Sequence, residues 1–351
     1  MPKGVFSLTP ADHAIPSAGV LDNANVDGVS IRTHWDALET SDGIYNWAYL
    51  DAQVNRATAA GKIVSLRVGT GSGGATASQG NVPDWVMALV TTTFQFIDTN
   101  SGGITRTIPA FWDTAFVLKK REMLTALGVH FSGNTSIKIV YVGFANAQST
   151  DWGVPDSTTV DSLGASERQR WLDIGYTAQK VIDAGCPATG TNGIIDAAAF
   201  AFPNAIICYS AGLTSGHSGS PSMLGLDPDK NYAARTVLTN AIAKYGNRIM
   251  IQKDSLSAKT ASYAPYSGQP ASNDAWTIIY DYPTRVGAQM VWSAYPDTTR
   301  MGGAPGLDPA TVLTAAVNCG VDYHTKYQEI YETDVINLPA VISYAHRSLS
   351  Y

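Results

Sequence analysis

Charge is scarce in this chain: 15% of its 351 residues are Asp, Glu, Lys or Arg, where globular proteins commonly carry about a quarter. Net charge is −6, and no Lys/Arg cluster or basic stripe occurs. Nucleic acid is therefore not an expected partner. No run of about 18 apolar residues is present, so no hydrophobic membrane-spanning helix is expected. The opening MPKGVFSLTP lacks the apolar core of a signal peptide. A surface rich in Gly, Ser, Thr and Asn but poor in charge suits an extracellular or virion-surface protein.

Cysteine is limited to Cys186, Cys208 and Cys319, with no CxxC spacing. Free, buried thiols are the expected state, with one disulfide as the alternative. The six histidines, His13, His34, His130, His217, His324 and His346, show no HxxxH or HxH spacing, so no metal is expected. The glycine-rich GTGSGGATASQG beyond Val68 lacks GxxxxGK[ST], and no dinucleotide fingerprint follows a strand. No G-x-S-x-G elbow occurs at a strand-to-helix junction either. No cofactor is expected.

Against these absences stands one organised stretch, Asp27 to Val68. Val29-Ser30-Ile31 reads as a buried strand that ends on Arg32 and Trp35, and Asp42-Gly43 marks a turn. Leu50, Val54 and Ala57 then recur at helical spacing, Gly61 closes the helix, and Ile63 to Leu66 forms a second strand. Two strands joined through a helix in this way must run parallel.

The pattern R-x-x-W-x-x-L-E-x-x-x-G-x-Y-x-W-x-x-L-D, from Arg32 to Asp51, resembles the second βα unit of (β/α)8-barrel glycoside hydrolases. It is most similar to β-galactosidase-like members of the large retaining clan. The resemblance implies an α/β fold, a single (β/α)8 TIM barrel over residues 1–351 with long loops at its C-terminal face. It also implies a carbohydrate substrate, an oligo- or polysaccharide, cleaved between two carboxyl groups.

The rest of the chain keeps a strand–helix rhythm. Expected strands are Val5–Leu8, Val29–Ile31, Ile63–Leu66, Ile137–Phe144, Ala205–Ser210, Arg248–Gln252, Gly287–Trp292 and Tyr327–Tyr331. Expected helices cover Asp113–Phe131, Glu167–Ala184, Ala197–Phe202, Asn231–Tyr245, Ala271–Tyr282, Pro309–Cys319 and Pro339–Leu349. A hairpin is expected from Phe94–Ile97 and Ile104–Ile108. That makes eight strands, with the site at their C-terminal ends. Should Val29–Ile31 instead be the first barrel strand, YQEIY would be the seventh.

Retaining glycosidases need two carboxyl groups about 5 Å apart. Of 29 acidic residues here, five are glutamates: Glu39, Glu122, Glu167, Glu329 and Glu332. Glu122 and Glu167 read as solvated charges on outer helices. Glu39 reads as structural or capping, and Glu332 as surface. Glu329 shares a strand face with Tyr327 and Tyr331, and a carboxylate there needs a partner or a function. It is the candidate nucleophile; the rival reading is a buried ion pair with Arg32 or Arg67.

In the clan, the acid glutamate follows an asparagine after strand four. Asn146 is present, but Ala147 follows it; Gln148 and Asp151 are the next polar residues. Three readings stay open: Asp151 is the acid, Gln148 stands in place of a native glutamate, or the barrel binds sugar without cleaving it. The clan's nucleophile position after strand seven offers Trp292-Ser293-Ala294-Tyr295 instead. By the resemblance, Arg32 would orient the nucleophile and Asn146 would bond the sugar. Trp35, Trp85, Trp152, Trp292 and Tyr295 fall at strand ends as candidate sugar platforms, Asp254 as a hydroxyl ligand, and Trp47 and Trp171 as core. A uronate lyase with Tyr295 or Tyr331 as base is a further alternative.

Overall fold

The computed structural model describes residues 1–8, 16–69, 82–98, 102–143, 157–210, 232–259 and 282–350. Eight parallel strands close into a barrel: β1 (Gly4–Leu8), β2 (Gly28–His34), β3 (Ile63–Gly69), β4 (Ile137–Val142), β5 (Ile206–Ser210), β6 (Ile249–Leu256), β7 (Val286–Met290) and β8 (Thr325–Tyr331). Each strand lies beside its predecessor in the chain, and β1 pairs with β8 to close the ring. The strand count from the sequence holds, and Glu329 therefore belongs to the eighth strand. The renumbering that would put it on the seventh is excluded, because Val5–Leu8 is a barrel strand.

Helices pack outside, the longest described ones being Thr114–Phe131, Tyr232–Tyr245 and Pro309–Asp322. The helix at 114–131 starts where Asp113 accepts the N–H groups of Ala115 and Phe116. The other carboxylate oxygen of Asp113 takes the N–H groups of Thr91 and Thr92, tying the helix to the hairpin Thr93–Asp98/Ile104–Pro109. The continuous helix expected over 167–184 is two helices, Glu167–Asp173 and Ala178–Gly185. Gly175 takes φ +79° at the break, a left-handed conformation that favours glycine, and Thr177 caps the second helix. Glu167 is also not solvated: it is buried and accepts the Ser157 N–H at 2.8 Å. Most of the helix expected at 271–282 lies outside the described residues.

Two apolar layers result. One fills the space between strands and helices; Trp171 lies fully inside it, stacked on Phe94 with centroids 3.7 Å apart. The other is the barrel's own interior, where Phe6, Ile139, Tyr141, Cys208, Met250 and Tyr327 pack together. Small residues make room for its aromatic rings. A Cβ on Gly287 would stand 2.3 Å from the Tyr327 ring, and one on Gly28 2.5 Å from Phe6. Cys186, Cys208 and Cys319 are all buried thiols, none of them in a disulfide.

Candidate active site

Side chains alternate along a strand, so residues two positions beyond the apolar interior point into the same lumen, nearer the C-terminal ends. Tyr327 is followed in this sense by Glu329, and Met250 by Gln252 and then Asp254. Neighbouring strands bring further polar groups to the same space. Glu329 lies level with Gln289 of β7, and Arg32 with Arg67 of β3, which in turn is level with Tyr141 of β4.

These groups form one network. Arg32 Nη2 donates to Glu329 Oε2 at 3.1 Å and to Gln289 Oε1 at 2.5 Å. Gln252 Nε2 donates to Asp254 Oδ1 at 2.7 Å and to Glu329 Oε2 at 3.4 Å. The Tyr141 hydroxyl donates to Asp254 Oδ2 at 2.9 Å, and the Tyr327 hydroxyl to Gln252 Oε1. Arg67 lies 3.9 Å over the Tyr141 ring. Glu329 is 1% exposed and Asp254 2%; at such burial a carboxylate requires partners, and both have them. Arg32 Nε is buried with no partner among the described residues.

Burial pushes the Tyr327 phenol well above its usual range, and the nearby Cys208 thiol also rises through burial. Tyr331 rises too, chiefly through burial, with Arg32 opposing the shift. The Tyr327 hydroxyl accordingly serves as a donor, to Gln252.

The other candidates divide. Glu329, Arg32 and Asp254 converge as described. Trp35 does not join them: it is 0% exposed and its indole N–H donates to Glu39 at 2.7 Å. Its side chain is spent on anchoring the turn, where Glu39 also accepts the Gly43 N–H, so the platform reading of Trp35 is corrected. Trp292 is half-buried; Arg300 covers it 3.6 Å from the ring centroid, and Tyr331 packs at 5.7 Å. Tyr295 is 50% exposed. Trp85 is half-buried and lines a cleft of about 380 Å³ together with Asp36, Glu39 and Thr40. Asn146, Gln148, Asp151 and Trp152 lie outside the described residues. Trp47 is half-buried rather than core, stacked between Tyr45 and His130 on the outer helical layer. Glu332, expected at the surface, is half-buried and accepts the Ser17 N–H at 3.0 Å.

Sequence reasoning missed Gln252, Gln289 and Tyr141. The available signal was parity: each is polar, lies inside an apolar strand and shares the inward face. Among the described residues, no group of three or more His, Cys, Asp or Glu side chains is arranged to hold a metal.

No protein-family model matches the chain, and no curated protein matches it by sequence. Solved structures do match its fold. The catalytic domain of β-amylase from Paenibacillus polymyxa superposes with a TM-score of 0.58 at 12% identity, over 99% of this chain and 98% of that one. Xylanase 10B from Thermotoga petrophila in complex with xylobiose gives 0.51 at 12% identity, over 93% and 81%. Endo-glycoceramidase II from Rhodococcus sp., a lactosyl-enzyme intermediate, gives 0.52 at 12% identity, over 95% and 73%. At such identities the likeness is one of architecture, and it agrees with the strand order: the chain is a (β/α)8 barrel.

Proposed function

We propose that this barrel is a glycoside hydrolase that cleaves an oligo- or polysaccharide by a retaining two-carboxylate mechanism, with Glu329 as nucleophile. The observation that carries the reading is the Arg32–Glu329 pair at 3.1 Å on the inner face of the barrel, with a second carboxylate close by. Arg32 holds one oxygen of Glu329, which fixes the carboxylate's orientation before an anomeric carbon arrives. Gln252 and Gln289 hold the pair from β6 and β7, so the nucleophile rests on rigid strands rather than loops. Support also comes from the similar folds, which include a β-amylase, a xylanase and an endo-glycoceramidase.

In the reaction, a Glu329 oxygen attacks the anomeric carbon and a second carboxyl group protonates the leaving oxygen; water then reverses the first step. Trp292, Trp152 and Tyr295 supply apolar faces for flanking sugar rings, and Asn146 a hydroxyl contact. Release of reducing sugar from a panel of polysaccharides and aryl glycosides tests the reading. The parent should turn over at least one substrate, and Glu329→Gln should not.

A second reading rests on the near-complete burial and pairing of Glu329: a barrel that binds saccharide without cleaving it. It predicts calorimetric saccharide binding by the parent with no turnover. Gain of hydrolysis in Gln148→Glu alone would instead mark Gln148 as the replaced acid.

A further inference from the structure

Glu329 and Asp254 are bridged by a single amide. Gln252 Nε2 lies 3.4 Å from Glu329 Oε2 and 2.7 Å from Asp254 Oδ1. The two carboxylate oxygens can therefore be no more than about 6 Å apart, which fits the roughly 5–5.5 Å of retaining glycosidases and falls short of the roughly 6.5–9.5 Å of inverting ones. From this geometry, and resting on the hydrolase reading above, we infer that Asp254 is the acid/base partner of Glu329.

The partner of Glu329 fits the nucleophile's role, and the short separation leaves the other role to Asp254. Glu329 faces a guanidinium, which supports the negative charge a nucleophile carries. Asp254 receives hydrogen bonds from the Tyr141 hydroxyl and the Gln252 amide, and the Gln252 amide sets it beside Glu329. Both side chains project from strands, β6 and β8, into the same lumen.

The chemistry balances. As the Glu329 oxygen bonds to the anomeric carbon, the bond from that carbon to the leaving oxygen breaks, and the Asp254 carboxyl proton passes to that oxygen. Asp254 is then a carboxylate. It takes a proton from the incoming water, whose oxygen bonds to the anomeric carbon while the bond to Glu329 breaks. The product keeps its anomeric configuration, and both carboxyl groups return to their starting states.

Leaving-group dependence separates this role from a structural one. Dinitrophenyl glycosides depart without a proton; alkyl glycosides and natural saccharides do not. In Asp254→Asn, kcat/KM for the dinitrophenyl substrate should be kept while its kcat falls with loss of the base for water, and kcat/KM for the unactivated one should fall roughly 10²–10⁴-fold, the scale of general acid catalysis. Added azide should accelerate the dinitrophenyl reaction and yield a glycosyl azide of retained configuration. Should Asp254→Asn fold poorly by circular dichroism, Asp254→Ala with azide or formate provides the same readout. An equal loss on both leaving groups, with no azide product, would overturn the assignment while leaving the hydrolase reading intact. The same holds if Asp151→Asn, and not Asp254→Asn, shows the leaving-group selectivity. A parent inactive on every glycoside would overturn the hydrolase reading itself and this assignment with it.

Discussion

Buried acids occur in two places in this molecule, and they are held differently. Outside the barrel interior, several clamp the backbone: Asp334 accepts the N–H groups of Ala294 and Tyr295 and the Ser293 hydroxyl. Asp113 holds four backbone N–H groups and Glu167 takes Ser157; Asp196 takes the Gly193 N–H together with Lys244 and Tyr245 from one neighbouring helix, and Asp98 pairs with Arg106 across its own hairpin. Inside the barrel, Glu329 is met by side chains, Arg32 from β2 and Gln252 from β6. Burial alone thus does not mark a site, since Asp334 and Glu329 are both below 2% exposed. The informative difference is where the donors stand: those of Glu329 come from separate barrel strands. A carboxylate enclosed by peptide N–H groups fixes the path of a loop or helix start. One approached by side chains from several strands can exchange a partner for a substrate without unravelling the fold.

That contrast breaks if inner and outer acids respond alike to substitution. The largest expected effect is on Glu329→Gln, which keeps the volume and should lower turnover at least about 10³-fold, as loss of a nucleophile does. Its melting temperature, measured by scanning calorimetry, should fall less than that of Arg32→Gln, because Arg32 is 14% exposed and keeps its bond to Gln289. Arg32→Gln should affect both properties, because it strips the cation from a buried carboxylate: roughly 3 kcal/mol of stability by urea denaturation, together with lower kcat.

Asp334→Ala should show the converse of Glu329→Gln. Three donors lose their acceptor, at a cost of roughly 2–3 kcal/mol, while kcat per folded molecule is retained. Burial holds the Asp334 carboxyl above its ordinary value, so the folded state keeps this proton at pH values where the unfolded chain has released it. Its contribution is full below the ordinary aspartate range and is lost as pH rises through the raised folded value. Asp334→Asn should remove that part of the pH dependence in denaturation series. The smallest effect is expected at the rim. Trp292→Ala should weaken saccharide binding by about 1–2 kcal/mol by calorimetry, less than a full indole burial, since Arg300 already covers one face.

The fold was legible because barrel strands carry two strong signals, β-branched runs and regular alternation with helices. All eight strands fall where the apolar segments predict, and the YQEIY alternation by itself puts Glu329 on the inward face. The site was legible only in part. Arg32 came through the motif and Glu329 through parity; parity also turns Gln252 and Gln289 inward, but as neutral residues within apolar strands they carry no chemistry of their own to single them out. Their role arises from strands distant in sequence becoming neighbours in the ring. Trp35 misled for a related reason. Its position after β2 suggested the mouth, whereas its indole is drawn inward by Glu39 four residues on. The split at Gly175 shows a third limit, since a helical apolar pattern can run across a break that one left-handed residue imposes.

The pairing of β1 with β8 also has a consequence in time. Arg32 and Glu329 are separated by 297 positions in the chain, and Phe6 meets Glu329 only across the closing seam. During synthesis the first seven strands emerge with an open edge on β1 and with Arg32 lacking its carboxylate. Contacts of such long sequence separation form late, because loop closure must precede them. The nascent barrel is thus most prone to edge-to-edge association just before its eighth strand appears, and the strand that completes the site is also the one that ends that exposure.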